Sequence, residues 1–308
     1  MNRTDLLLSI TVMIIWGFNF SMIKLGVSDV NPLVSTAARF AIAALPVIFF
    51  IPKPDVAWRY VIGYGLFFGV GVWGMASWSI TAGLSSGMSA VLLQTNVLIG
   101  IVVGVLILKE SLPTRKLIGA LIAAVALIIS ISFTNGNITG FGLFLVSISA
   151  LSWTAFGLIV KASKTKNAFV FNVWGMLVAP LPLLLLAVFI HGDHVLLESV
   201  QQWTWNTTFA VVFQAYPTTL FGYWVWNKML IRYPMSTVAP LTLLVPVFAL
   251  ISGYFIFDEV LSTPQVIACS LFLVGIGLIV RPPKTSPSLT SSPVAVKSSA
   301  LTSICNKQ

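Results

Sequence analysis

Charge is what this sequence has least of. Only 8% of its 308 residues are Asp, Glu, Lys or Arg, against about 25% in an ordinary soluble domain. A water-facing surface cannot be built from so few charges, so a soluble globular protein is excluded. Acids are scarcer than bases. There are eight, Asp5, Asp29, Asp55, Glu110, Asp193, Glu198, Asp258 and Glu259, each near the end of an apolar run or between runs. A proton-coupled exporter of cations usually needs a buried acid as its exchange site, and none lies in the middle of a run. Cysteine is nearly missing. Cys269 and Cys305 offer neither a disulfide framework nor a metal-ligand spacing. Both histidines sit in "HGDH" around Asp193, a spacing that fits no closed metal site. With no Ser/His/Asp set and no metal cluster, the residues of a membrane enzyme are lacking. Neither a cofactor nor a metal is expected.

Apolar residues are what the chain has in excess, 57% of it. Runs of about 17–25 such residues are long enough to cross the hydrocarbon core. They lie near 5–27, 33–51, 60–81, 86–108, 116–133, 140–160, 168–190, 205–227, 235–257 and 264–281. The first is too long for the core of a signal peptide and reads as a retained span. The basic residues test this count. Arg3, the pair Lys53 and Arg59, the group Lys109, Arg115 and Lys116, the group Lys161, Lys164 and Lys166, the pair Lys228 and Arg232, and the tail all fall on one side. The alternate loops, "SDVNP", "TAGLSS", "TNGNITG", "HGDHVLLESVQQW" and "DEVLST", hold no Lys or Arg. Cytoplasmic loops carry the positive charge. The sequence therefore predicts an all-α integral membrane protein of ten transmembrane helices with both termini cytoplasmic. The net charge of +9 reports that topology and not a nucleic-acid partner, because the bases are scattered over separate segments. The Ser/Thr/Pro-rich tail, 282–308, is expected to be a disordered cytoplasmic segment.

The chain also repeats itself. "WGFNFSMIK" returns as "WTAFGLIVK", which pairs Trp16 with Trp153 and Lys24 with Lys161. "ILKESLPTRKLIGALIAAVALIIS" returns as "IFDEVLSTPQVIACSLFLVGIGLIV", which pairs Glu110 with Glu259. Each copy holds five runs, an odd number, so the second copy must cross in the opposite sense. The expected halves are 1–134 and 135–281, inverted five-helix repeats of the kind found in secondary transporters. Glu110 and Glu259 are read as caps or locks of the repeat.

"WGFNFSMIKLG", "PLVSTAARF" and "APLTLLVPVFALISGYFIFDEVLSTPQVIACSLFLVGIGLIV" resemble the drug/metabolite transporter superfamily, in its ten-helix EamA-type branch, over residues 5–281. "RYPMSTVAPLTLLVPV" is similar to the bacterial exporters of cysteine and O-acetylserine. The resemblance implies a central cavity lined by spans one, three, four, six, eight and nine, and a place in the plasma membrane, the inner membrane of a bacterium.

Polar and aromatic residues inside the runs are the candidates for that cavity, since they must face the interior. Trp16 and Asn19 share a face with Phe20 and Ile23. Asn19 reads either as a hydrogen-bonding group for a solute or as an interhelical packing bond. Trp153 is the repeat counterpart of Trp16. In the third run Trp73 is deep, whereas Trp78 fits an interfacial belt. In the fourth, Gln94 and Asn96 lie about 200° apart, so at most one faces the cavity squarely, and Gln94 is preferred. In the eighth, Tyr216 and Thr219 flank Pro217, which removes a backbone donor and frees a carbonyl. Trp224 and Trp226 read as belt residues near the cytoplasmic end. Pro240 and Pro246 suggest a kinked ninth span. Lys24 and Arg39 stand on the outer approaches, where a substrate carboxylate would meet them, while Lys161 reads as a solvated orienting charge.

The function these residues suggest is export of small zwitterionic metabolites. The alternatives are another solute, such as an aromatic amino acid or a purine-like compound, and a sensor without transport. The partners expected are a small molecule and the bilayer, with the chain acting as a monomer.

Overall fold

The computed structural model describes residues 1–84, 86–107, 109, 113–132, 139–257 and 263–280. Among these residues the chain is helical and contains no strand. Helix α1 is Arg3–Gly26 and α2 is Pro32–Ile48. Then come α3 (Trp58–Thr81) and α4 (Ser86–Leu106), α5 (Thr114–Ser132) and α6 (Gly140–Ser163), and α7 (Ala168–His191). The short α8 is His194–Gln201. Helix α9 runs over 205–232. One turn, Met235–Val238, precedes α10 (Ala239–Phe257), and α11 is Thr263–Val280. Six of these, α1, α3, α4, α6, α7 and α10, are long and apolar enough to cross a membrane. Glu110, Glu259 and the tail lie outside the described residues.

The helix starts are written locally. The side chain of Asn2 accepts the Asp5 N–H at 2.7 Å. Asn31 accepts from Leu33 at 2.9 Å, with Pro32 in the first turn. Thr139, Asn167 and Thr204 cap α6, α7 and α9 in the same way. Each cap satisfies a donor that has no partner inside the helix. Helix α8 occupies part of the stretch read from the sequence as a loop, and Asp193 and His194 at its start are exposed. Gly192, at φ +87°, ends α7, and Val195 and Ser199, one turn apart, dock on the bundle.

The interior is mainly apolar but also holds polar side chains, while large apolar side chains cover the outside. Asn19, Arg39, Asn172, Thr218, Thr219 and Asn227 are fully buried, while Phe50, Phe189 and Trp205 stand out from the bundle. In hydrocarbon this is the favourable arrangement, because polar atoms can be satisfied only inside. The helices close on small residues, as apolar solvent requires. A Cβ on Gly17 would overlap Phe248 of α10, and the Ser21 and Ser252 hydroxyls bond at 2.7 Å along the same seam. A Cβ on Gly275 of α11 would lie 2.9 Å from the Gly119 carbonyl of α5.

Two helices are widened at matching places. Gly65–Gly74 in α3 and Gln214–Gly222 in α9 are π-helical. Pro217 lies inside the second, where its missing N–H breaks the i→i−4 ladder. Pro240 opens a 3-10 segment, Ala239–Leu243, at the start of α10.

Candidate functional site

The indole of Trp16 sits at the centre of an aromatic group drawn from α1, α3, α6 and α9. Its centroid is 5.5 Å from Trp153, 4.6 Å from Tyr223 and 5.3 Å from Trp226. The Trp73 indole N–H donates to the Tyr223 hydroxyl at 2.7 Å, and its ring is 6.2 Å from Trp153. The Trp16 N–H donates at 3.2 Å to the carbonyl of Thr218, inside the π segment of α9. Each aromatic pair is worth about 0.5–1.5 kcal/mol beyond its buried area. Trp16, Trp73 and Trp153, three of the residues expected from the sequence, meet here.

Two aromatic residues of this group were not expected. Trp226, read as an interfacial belt residue, is 2% exposed and packs on Trp16 and Trp153. Tyr223 is fully buried. Conversely Tyr216, expected in the site, is 38% exposed and stands apart. Alpha-helical spacing would put 216, 219, 223 and 226 on one face. The π segment over Gln214–Gly222 changes the angular step, so Tyr216 rotates out while Thr219, Tyr223 and Trp226 remain inside.

Arg39, expected on an outer approach, is enclosed in the bundle. It is 0% exposed, held between α2, α3 and α9. Its Nε donates to the Thr219 hydroxyl at 2.6 Å and its Nη1 to the Gln214 Oε1 at 3.5 Å. The guanidinium lies 4.4 Å over the Trp73 ring, a cation–π contact. Nη2 has no hydrogen-bond partner in the protein. Among the described residues no carboxylate pairs with it. Asp5 accepts from Arg232 at 2.7 Å and from the Tyr233 hydroxyl at 2.6 Å, Asp29 accepts from Thr204, and Asp55 accepts from Thr165 and the Lys166 N–H.

The amides are buried and under-satisfied. Neither side-chain atom of Asn19 has a partner. Gln94 donates back to the Ala90 carbonyl at 3.3 Å and Asn96 to that of Leu93, leaving both side-chain oxygens unpaired. Both are buried because α4 tightens at Gln94. Its N–H bonds the Val91 carbonyl, and its carbonyl takes the Val97 N–H, so the phase counted along a regular helix does not hold. The Thr218 hydroxyl, the Trp226 N–H and the Asn227 oxygen are likewise without protein partners. Each such atom costs about 1–3 kcal/mol of stability.

The two repeated lysines part company. Lys24 is half-buried, with its Nζ 4.3 Å from the Phe257 ring centroid at the end of α10, and is not brought to the aromatic group. Lys161, read as a solvated charge, donates at 3.2 Å to the Tyr233 carbonyl just past α9. A cation at a helix C-terminus meets the exposed carbonyl end of the dipole.

A second polar group escaped the sequence reading. The Tyr64 hydroxyl donates to the Asn172 Oδ1 and accepts from the Asn227 Nδ2 at 2.9 Å, joining α3, α7 and α9. The signal was present: each Asn interrupts an otherwise apolar run. No three His, Cys, Asp or Glu side chains gather among the described residues, so no metal-ligand set is found there.

Comparison with known proteins places this bundle. The model of the EamA-like transporter family matches twice, over residues 3–132 and 140–281. A Salmonella typhimurium protein and an Escherichia coli protein, each named "Probable amino-acid metabolite efflux pump", are 29% identical over 282 residues, covering 90% of this chain and 94% of theirs. A Bacillus subtilis "Uncharacterized transporter YoaV" is 25% identical, covering 87% of this chain and 93% of its own. A crystal structure 16% identical in sequence has the same fold, with a TM-score of 0.71 over 90% of this chain and 96% of its own. With both halves matched, the chain belongs to the EamA-like transporter family, whose members are membrane transporters.

Proposed function

We propose that the protein is a secondary transporter of the plasma membrane that exports small amino-acid metabolites, similar in size and charge to cysteine and O-acetylserine, by alternating access. In this reading the chain crosses the membrane ten times, the halves 1–134 and 135–281 are inverted copies, and both termini and the tail, 282–308, face the cytoplasm. Inverted copies share an axis in the membrane plane, and substrate binds near it. The 5.5 Å contact between Trp16 and its repeat counterpart Trp153 supports that axis. The names of the Salmonella and Escherichia coli relatives support amino-acid metabolites, and their bacterial origin supports the plasma membrane.

The observation that carries the reading is the set of buried polar atoms without protein partners on α1, α2, α4 and α9, beside an aromatic wall. A protein that only had to fold would replace them with apolar groups, whereas a solute-binding interior needs a few well-placed polar groups among apolar ones. Trp16, Trp73 and Trp153 form the wall, Asn19 and Gln94 hydrogen-bond the solute, Thr219 holds Arg39, and Lys24 draws anions to the outer mouth. Tyr216 has no part in it. The aromatic wall also favours a second reading, in which the solute is an aromatic amino acid stacked on these rings.

Expression in cells should lower internal cysteine or O-acetylserine and raise it in the medium. Unchanged efflux of both, with the protein verified in the membrane, rejects those substrates. Efflux of tryptophan or phenylalanine instead selects the second reading.

A further inference from the structure

Arg39 is the one buried cation among the described residues, and the way it is held is informative. Thr219 and Gln214 take two of the five N–H donors of its guanidinium, and Trp73 covers one face. These contacts fix the plane and direction of the group. They leave Nη2 buried and without a partner in the protein, next to an Nη1 that keeps one of its two hydrogens free for a second bond. A guanidinium edge matches a carboxylate in a paired, two-bond geometry that a lysine ammonium cannot offer. A charge at this depth is costly and is ordinarily met by an opposite charge. Asp5, Asp29 and Asp55 are engaged elsewhere, and Asp193 and Glu198 are exposed.

Helix α2 carries no other charge, so Arg39 does not serve a local ion pair. Its three neighbours come from two other helices, α3 and α9, both widened into π turns at the level of contact. Trp73 links the guanidinium to the aromatic group directly, since the same indole bonds Tyr223.

We propose that the terminal edge of the Arg39 guanidinium anchors the carboxylate of the transported molecule, which makes α-amino acids and related monocarboxylates the ligand class and excludes their esters and decarboxylated amines. Thr219, Gln214 and Trp73 are positioning residues that fix the plane and direction of the guanidinium. This inference rests on the export reading above and names the charge that the site selects.

The test uses the full-length protein in detergent and in liposomes, with O-acetylserine, phenylalanine, their methyl esters and the matching amines as probes. Thermal stabilisation reads binding, and counterflow reads transport. The wild-type protein should prefer acid over ester by about tenfold or more, the worth of a charge-assisted pair. Arg39→Gln should bring that ratio to about one. Arg39→Lys, which keeps the charge but loses the paired geometry, should reduce the ratio severalfold, and it carries the test if the glutamine variant does not fold. Wild-type protein that treats acid and ester alike, or either variant with an unchanged ratio, overturns the anchor. Movement of esters or amines without acids overturns it too, while leaving a transporter. Acid binding that depends on Arg39 but is never followed by counterflow upholds the anchor and rejects export. A wild-type protein that neither binds nor moves any probe rejects both.

Discussion

The register that matches the asparagine caps, Asn31 of α2 and Asn167 of α7, also matches Arg39 with Gly175. At one position the first half sends a guanidinium toward α9 and α3. At its counterpart the second half has no side chain, and Tyr64 of α3 fills the place. A Cβ on Gly175 would overlap its ring. The surroundings differ to match. Around Tyr64 the hydroxyl both donates and accepts, and Asn172 and Asn227 are drawn into one network. Around Arg39 and on α1, donors and acceptors are left over. At one position the same backbone frame thus builds a joint whose Tyr64 hydroxyl is bonded on both sides, with the Asn227 oxygen the one atom left over, and at the other a site with several unpaired polar atoms. Closed networks stabilise, and open ones cost stability unless a ligand completes them.

The largest expected effect comes from forcing the Tyr64 joint apart. Gly175→Leu places a branched side chain where Tyr64 packs, and overpacking of this kind costs about 1–3 kcal/mol or more. Size-exclusion profiles of the purified variant should show a clear loss of monodisperse protein. A normal profile would mean that α3 and α7 do not meet as closely as described.

A matched pair of substitutions sharpens the contrast. Asn172→Leu removes a bonded partner from the Tyr64 network and should destabilise by about 1–3 kcal/mol. Asn19→Leu removes an amide with no protein partner. It should leave the thermal midpoint unchanged or raise it by about 2–4 °C per kcal/mol gained, while transport falls. If both variants lose stability equally, Asn19 belongs to packing and not to a site.

The smallest effect compares the repeated lysines. Lys161→Ala removes a bond to the Tyr233 carbonyl, worth about 0.5–1.5 kcal/mol, and should leave transport per folded molecule unchanged. Lys24→Ala should lower transport without lowering the thermal midpoint as far, and Lys24→Arg should recover part of it. Equal transport in the two alanine variants would remove Lys24 from the site.

Much of this was legible in the linear order of residues. Long apolar runs and the paired phrases around Trp16 and Trp153 depend only on hydrophobicity and its order along the chain. That a polar or aromatic residue in a run turns inward follows from the solvent alone, so Trp16, Asn19, Trp73, Gln94, Trp153 and Thr219 could be singled out as interior residues.

What could not be read was the phase of a side chain past an irregular turn, and who its neighbour is. Pro217 announced a disturbance in α9 but not that a π segment would carry Tyr216 outward and keep Tyr223 and Trp226 inside. Arg39 looked like an outer charge because a lone cation in an apolar run has no local partner. Its partners, Thr219, Gln214 and Trp73, come from distant segments of the chain. Periodicity determines which residues are inside as long as the helix is regular. Only the packing of helices against one another decides where that regularity breaks and which buried groups meet, because hydrogen bonds and ring contacts across the bundle are set by distance in space and leave no period in the sequence.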